Sequence, residues 1–186
     1  MSDRWIVFGL GNPGDQYATT RHNVGQMVID YLANGAKYSS HKSKCVITDT
    51  HLAGSPVTLA KSTGYMNDSG APLKALADFY KVPTDHIIVV HDEIDIPFNT
   101  IRIKIGGSDN GHNGLKSITK HFTTGEYFRI RAGVDRPQVG DPADYVLKPF
   151  SSAEKKDLPD FVARNAQAIV SLIAKGLEAT QQDFNK

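Results

Sequence analysis

Acyl chemistry needs a base, a group that orients the base, and amides that hold the reacting carbonyl. This chain carries such residues in four short segments: Asn12 through Tyr17 to His22-Asn23, Tyr65-Met66-Asn67, His91-Asp92-Glu93, and Gly111-His112-Asn113. His22 is the residue best suited to act as a base. An aspartate such as Asp92, accepting from its Nδ1–H, would fix the tautomer, raise its basicity and leave Nε2 for a water. The plain alternative is a histidine that caps a helix or sits in the core, satisfied by backbone. Asn12, Asn67 and Asn113 can offer donors and acceptors to a carbonyl, although an asparagine in a turn more often bonds its own backbone.

Other chemistries fit less well. Gly9-Leu-Gly11-Asn-Pro-Gly14 matches G-x-G-x-x-G, but its third glycine leads into turn residues rather than opening a helix on a pyrophosphate. His91-Asp-Glu-Ile-Asp95 has metal-ligand types, yet in an extended segment only alternate residues share a face, which makes a poor cage. Gly106–Gly111 lacks the Gly-Lys-Ser/Thr ending of a phosphate-binding loop and reads as a mobile lip beside a site. No Gly-x-Ser-x-Gly is present, and Cys45 reads as a half-buried packing residue in a strand. A His–Asp pair without a nucleophile points to direct attack by an activated water on an acyl centre, with no metal or cofactor.

The elements that must position these residues follow from the apolar pattern. Trp5–Leu10 and His86–His91 read as strands buried on both faces. Helical spacing of Val24, Met27, Val28, Tyr31 and Leu32 predicts a helix from about His22 to Asn34, stopped by Gly35. Cys45–Leu52 and Val57–Ala60 flank a hairpin-like turn, and Asp68 or Ser69 starts a helix that buries Leu73, Leu76, Ala77 and Tyr80. Ile101–Ile105 and Tyr127–Val134 alternate as strands, the second with Arg129 and Arg131 on one face. A short helix covers His112–Lys120, and 138–143 reads as a loop. Ser151 with Glu154 forms a capping box before a helical region that Pro159 should kink or divide. Strands alternating with helices give an α/β class: a single-domain, three-layer α/β/α sandwich over residues 1–186 with a mixed, mostly parallel sheet.

The 186 residues, with 40% hydrophobic and 22% charged content, suit one globular domain. No apolar run approaches the roughly 18 residues of a membrane span, and the start shows no signal peptide. The single cysteine fits a reducing cytoplasm. Net charge is +1, but residues 99–136 hold seven lysines and arginines against three acids. That local excess suits a polyanion gripped at one sector, or a solvated mixed face.

Four motifs carry a resemblance. Gly9-Leu-Gly-Asn-Pro-Gly14 through Thr20-Arg-His-Asn23, Tyr65-Met-Asn-Asp-Ser-Gly70, His91-Asp-Glu-Ile-Asp-Ile-Pro97 and Gly111-His-Asn-Gly-Leu-Lys-Ser117 resemble, in order, those of the bacterial peptidyl-tRNA hydrolase family. The resemblance runs from about residue 4 to about 180. It implies a monomeric, cytoplasmic α/β enzyme, with no obligate protein partner, that cleaves the ester between a peptide and the 3′ ribose of tRNA. It implies that His22 is the base and Asp92 its partner, with Asn12, Asn67 and Asn113 positioning peptide and water. Tyr17 and Met66 would line the site, His112 would shape the loop, and Lys104 and Arg131 would hold tRNA phosphate. The chain departs from the family pattern at Ser108-Asp109-Asn110 and at Asp135, where glycine or small residues are usual. A rival of the same fold is an RNA-binding protein without activity.

Overall fold

The computed structural model describes residues 3–185, and every strand in it belongs to one sheet. In chain order the elements are β1 (Trp5–Gly9), α1 (Val24–Ala33), β2 (Ser39–Ser40), β3 (Cys45–Leu52), β4 (Ser55–Ser62) and α2 (Gly70–Tyr80). Then come β5 (Ile87–Glu93), β6 (Ile101–Ile105), α3 (Asn113–Phe122), β7 (Phe128–Gly133), α4 (Pro142–Val146), α5 (Ser152–Lys175) and α6 (Leu177–Phe184). The strand order is β2-β3-β4-β1-β5-β7-β6. The central four strands, β4, β1, β5 and β7, are mutually parallel, and the flanks join antiparallel. The expected mixed α/β sandwich is what the chain forms.

Alternation along the strands divides the core into two layers. Val7, Ile88, Val90, Ile130 and Ala132 face α1 and α5, while Ile6, Phe8, Ile87 and Val89 face α2 and α3. Apolar burial on both faces explains the near-continuous hydrophobic runs of β1 and β5. Helix α1 lies hard against β5. A Cβ on Gly25 would sit 2.2 Å from the Val90 carbonyl oxygen, so glycine is what admits the helix. Gly70 does the same between α2 and α3, where a Cβ would stand 2.1 Å from the Ser117 carbonyl oxygen.

Several boundaries differ from the sequence expectation. Strand β5 runs on through Asp92 and Glu93, all of it buried, so the key aspartate belongs to the strand rather than to the loop beyond it. Helix α1 starts at Val24 rather than His22 and is capped by Asn34, left-handed at φ 50°; asparagine tolerates that region because its side chain is short and polar. Helix α5 passes Pro159 unbroken. Pro159 is exposed, so the carbonyl it leaves unpaired can turn to water. Part of the expected 138–143 loop forms the start of α4, with Asp141 as N-cap accepting from Ala143 N and Pro142 at the first turn. Cys45 is buried rather than half-buried, and burial pushes its thiol up to about 11.

Candidate active site

A cavity of about 420 Å³ opens where the loops after β1, β4 and β5 meet α3 and α4. Its wall includes Asn12, His22, Met66, Asn67, Asp92, His112 and Asn113, with Ile94, Val146 and Leu147 as its apolar side. Most of the residues singled out in the sequence thus gather in one place. Tyr17 is outside this wall and packs edge-on against Tyr65, at 6.3 Å between ring centres, which does line it.

His22 lies in a single 3₁₀ turn, Arg21–Asn23, immediately before α1. Its two neighbours anchor that turn in different directions. Buried Arg21 donates to Glu154 at 2.7 Å and to the Tyr145 carbonyl at 3.1 Å, tying the turn to α4 and α5. Asn23 pairs reciprocally with the backbone of Asn12: it accepts from Asn12 N and donates to Asn12 O, both at 2.9 Å. Asn12 in turn accepts from Met66 N through Oδ1 at 2.8 Å, which leaves its NH₂ for other partners.

Between those anchors the imidazole meets Asp92. His22 Nδ1 lies 2.8 Å from Asp92 Oδ2, and His112 Nε2 lies 2.8 Å from Asp92 Oδ1. Both carboxylate oxygens are therefore engaged by histidine. His112 Nδ1 accepts from Gly114 N at 3.1 Å, so its proton resides on Nε2 and is donated to Asp92. An ionised Asp92 accepts from both rings, so His22 carries a proton on Nδ1, and in the neutral ring Nε2 is the unprotonated nitrogen. His91, on the other face of β5, donates Nδ1–H to the Asp92 carbonyl at 2.8 Å.

The electrostatics follow from this geometry. Burial alone would raise the Asp92 pKa, but His22 and His112, by charge and by hydrogen bond, hold it far below the usual carboxylate range. For His22 burial favours the neutral ring, yet the Asp92 charge and hydrogen bond prevail and raise its pKa above 6.5. Burial, with His112 nearby, pushes His91 down to about 3, so it is neutral. His22, Asp92 and His112 are also, among the described residues, the group with metal-ligand types gathered within 4.8 Å. Their nitrogens are directed at the carboxylate oxygens, and an ion would have to displace both hydrogen bonds.

The basic sector lies on the α2–α3 side of the sheet. Register places Arg102 opposite Arg131 and Lys104 opposite Arg129. Arg129, expected on one face with Arg131, is not part of an open basic surface. It is buried and donates to the carbonyls of Gly107, Ser108 and Gly125, at 2.9, 2.6 and 3.1 Å, pinning the loop before α3. Arg131 is partly exposed and pairs with Glu93 at 3.1 and 3.2 Å. Lys104 is pulled below its ordinary pKa by burial and by Arg131 and Arg129. Asp109 accepts from Gly111 N at 2.9 Å and so braces the loop, and Asp135 occupies a left-handed position at φ 70°, where glycine is easiest.

Two features escaped the sequence reading, and a third, Asn23, was singled out there without a role. The α4 wall was signalled by Asp141-Pro142, an N-cap followed by proline at the first helical position. Asn23 stood at the right place without a partner to assign it. The His112–Asp92 bond joins residues 20 apart and had no local signal.

A model of the family described as peptidyl-tRNA hydrolase matches residues 6–186. The chain belongs to the peptidyl-tRNA hydrolase family. It is a hydrolase by that membership. The peptidyl-tRNA hydrolase of Pseudarthrobacter chlorophenolicus is 51% identical over 190 residues, covering 100% of this chain and 97% of that protein. That of Streptomyces coelicolor is 49% identical over 190 residues, covering 97% and 94%. The crystal structure of the Acinetobacter baumannii peptidyl-tRNA hydrolase superposes with a TM-score of 0.86 at 31% identity, covering 100% of this chain and 94% of that one. Among the described residues no helix is long and apolar enough to cross a membrane.

Proposed function

We propose that the enzyme hydrolyses the ester between a peptide's C-terminal carboxyl and the 3′ oxygen of tRNA, with His22 as general base. The observation that carries this is the His22 Nδ1–Asp92 Oδ2 bond of 2.8 Å in the cavity wall, with the second carboxylate oxygen held by His112. Asp92 orients the ring and stabilises the imidazolium that forms. Nε2 takes a proton from a water, whose oxygen bonds to the ester carbon and drives the carbonyl electrons onto oxygen. Amide groups of Asn67 and Asn113, exposed on the cavity wall, hold that oxyanion, and the Asn12 NH₂ positions substrate or water. The tetrahedral centre collapses, the bond to the ribose oxygen breaks, and the His22 Nε2 proton goes to that oxygen. Peptide carboxylate and tRNA with a free 3′-hydroxyl leave.

The remaining assignments follow the same reading. Met66 and Tyr65 wall the peptide side, with Tyr17 backing Tyr65, and Lys104 and Arg131 bind tRNA phosphate. Phosphate competes with Glu93 for Arg131. The reading takes the enzyme as a monomeric, single-domain, cytoplasmic protein without an obligate partner, as the resemblance to the family implies. The test is turnover of N-acetyl-aminoacyl-tRNA by wild type and His22→Ala with chelator present. Turnover by wild type alone supports the assignment. Equal turnover by the variant removes His22 as the base, and tRNA binding without turnover by either favours an inactive RNA-binding protein.

A further inference from the structure

The order of strands gives the site a direction. Across the sheet, β6 and β7 carry Lys104 and Arg131, β5 carries Asp92, β1 leads into Asn12, and β4 leads into Thr63. A second cavity, of about 360 Å³, lies at the β1–β4 end between the loop 13–18, α1 and Lys61–Thr63. Asn12 lines both cavities. The two cavities therefore adjoin at Asn12, the second lying on the side of the His22–Asp92 pair away from the basic strands.

We propose that this second cavity receives the upstream residues of the substrate's peptide, those beyond the amino acid whose carboxyl forms the ester. The proposal rests on the ester-hydrolysis reading above. Its charge favours a peptide over RNA: Asp15 and Asp30 line it, and Lys61, the cation among its lining residues, is already paired with Asp30 at 2.7 Å. Gln26 supplies the recognising group. It is half-buried on α1 against this cavity, and its side-chain amide makes no hydrogen bond with the described residues. A carboxamide presents a donor and an acceptor side by side, the complement of a main-chain peptide unit. Such pairing reads backbone and ignores sequence, as suits an enzyme that meets peptides of every composition.

The test compares kcat/KM for two substrates sharing the same tRNA and the same esterified residue, one N-acetyl-aminoacyl and one N-acetyl-pentapeptidyl. Wild type should prefer the longer by about tenfold, the equivalent of about 1.4 kcal/mol. Gln26→Ala, which removes the amide, and Ala18→Trp, which fills the cavity from an exposed position, should abolish that preference while retaining turnover of the one-residue substrate. A wild type indifferent to length overturns the proposal. So does a folded variant, its thermal melt matching wild type, that keeps the preference or that loses both substrates equally, the mark of a cavity holding the RNA 3′ end. Wild type inactive on both substrates sinks the ester-hydrolysis reading and this proposal with it.

Discussion

Replacing Asp92 with asparagine separates the two services the carboxylate performs for His22. Burial disfavours the imidazolium, and the Asp92 charge and hydrogen bond more than offset it, so the pKa lies above 6.5. The proposed mechanism uses the neutral ring, so wild-type activity should be lost as pH falls through that raised value. In Asp92→Asn the charge is gone and burial remains, so the His22 pKa should drop below 6.5 and the acid limb of kcat/KM should move to lower pH. The rate should fall for a separate reason. Asparagine has one oxygen to offer two ring N–H donors. His112 is held in orientation by the Gly114 N–H on its Nδ1, so it keeps the oxygen and His22 faces an NH₂ group. The His22 proton then moves to Nε2, the atom that must accept one from water. A loss of about 10²–10⁴-fold in kcat is expected, the scale of a misassigned general base. Initial rates on N-acetyl-aminoacyl-tRNA across about pH 5 to 9 measure both effects. An acid limb that stays in place, with kcat within about threefold of wild type, would refute the reasoning.

Charge and packing make three further expectations. Lys104→Ala and Arg131→Ala should each weaken tRNA binding and reduce the slope of log K against log salt by about one, read by filter binding over a salt series. Arg129→Met should leave that slope unchanged but lower stability by about 1–3 kcal/mol, because the carbonyls of Gly107, Ser108 and Gly125 lose a charged donor; denaturant melts measure it, and a reduced slope would place Arg129 on the phosphate face. Gly25→Ala should destabilise by about 1–3 kcal/mol and lower kcat, since α1 must move off β5 and carry the His22 turn with it. Wild-type stability and kcat in that variant would show that the close contact at Val90 does not set the position of the base.

What was legible in the sequence was what is local. The apolar runs of β1 and β5, the period of α1 and the Ser151–Glu154 box are written in neighbouring residues, and Ser151 and Glu154 do bond reciprocally. The pairing of His22 with Asp92, 70 residues apart, was suggested by residue chemistry with a backbone-satisfied histidine as the alternative, and the resemblance of their motifs favoured the pair. What stayed hidden depends on distant partners. Arg129 and Arg131 alternate alike on β7, yet Arg129 ends on the carbonyls of Gly107 and Gly125, on either side of α3, and Arg131 against Glu93. Two arginines on one face looked like one patch; only their partners separate a loop anchor from a candidate phosphate ligand. Continuation of β5 through Asp92 was masked for a similar reason. Acidic residues read as the end of a strand, whereas here the carboxylate is satisfied by two histidines from elsewhere in the chain.

That buried strand position bears on how His22 is held. Asp92 sits in the central sheet and cannot follow a moving loop, so the geometry of the pair depends on keeping the His22 turn still. The turn is fixed on both sides of the histidine: Arg21 reaches Glu154 and Tyr145, and Asn23 clasps the Asn12 backbone. Because Asn12 also accepts from Met66 N, the loop after β1, the turn carrying the base and the segment carrying Asn67 form one hydrogen-bonded unit. Glu154 meanwhile accepts from both Ser151 N and Arg21, so the cap of α5 and the anchor of the His22 turn share one carboxylate. A single 3₁₀ turn thus gains from its surroundings the rigidity that its length could not supply, and the ring between its anchors is left to answer only to Asp92 and to water.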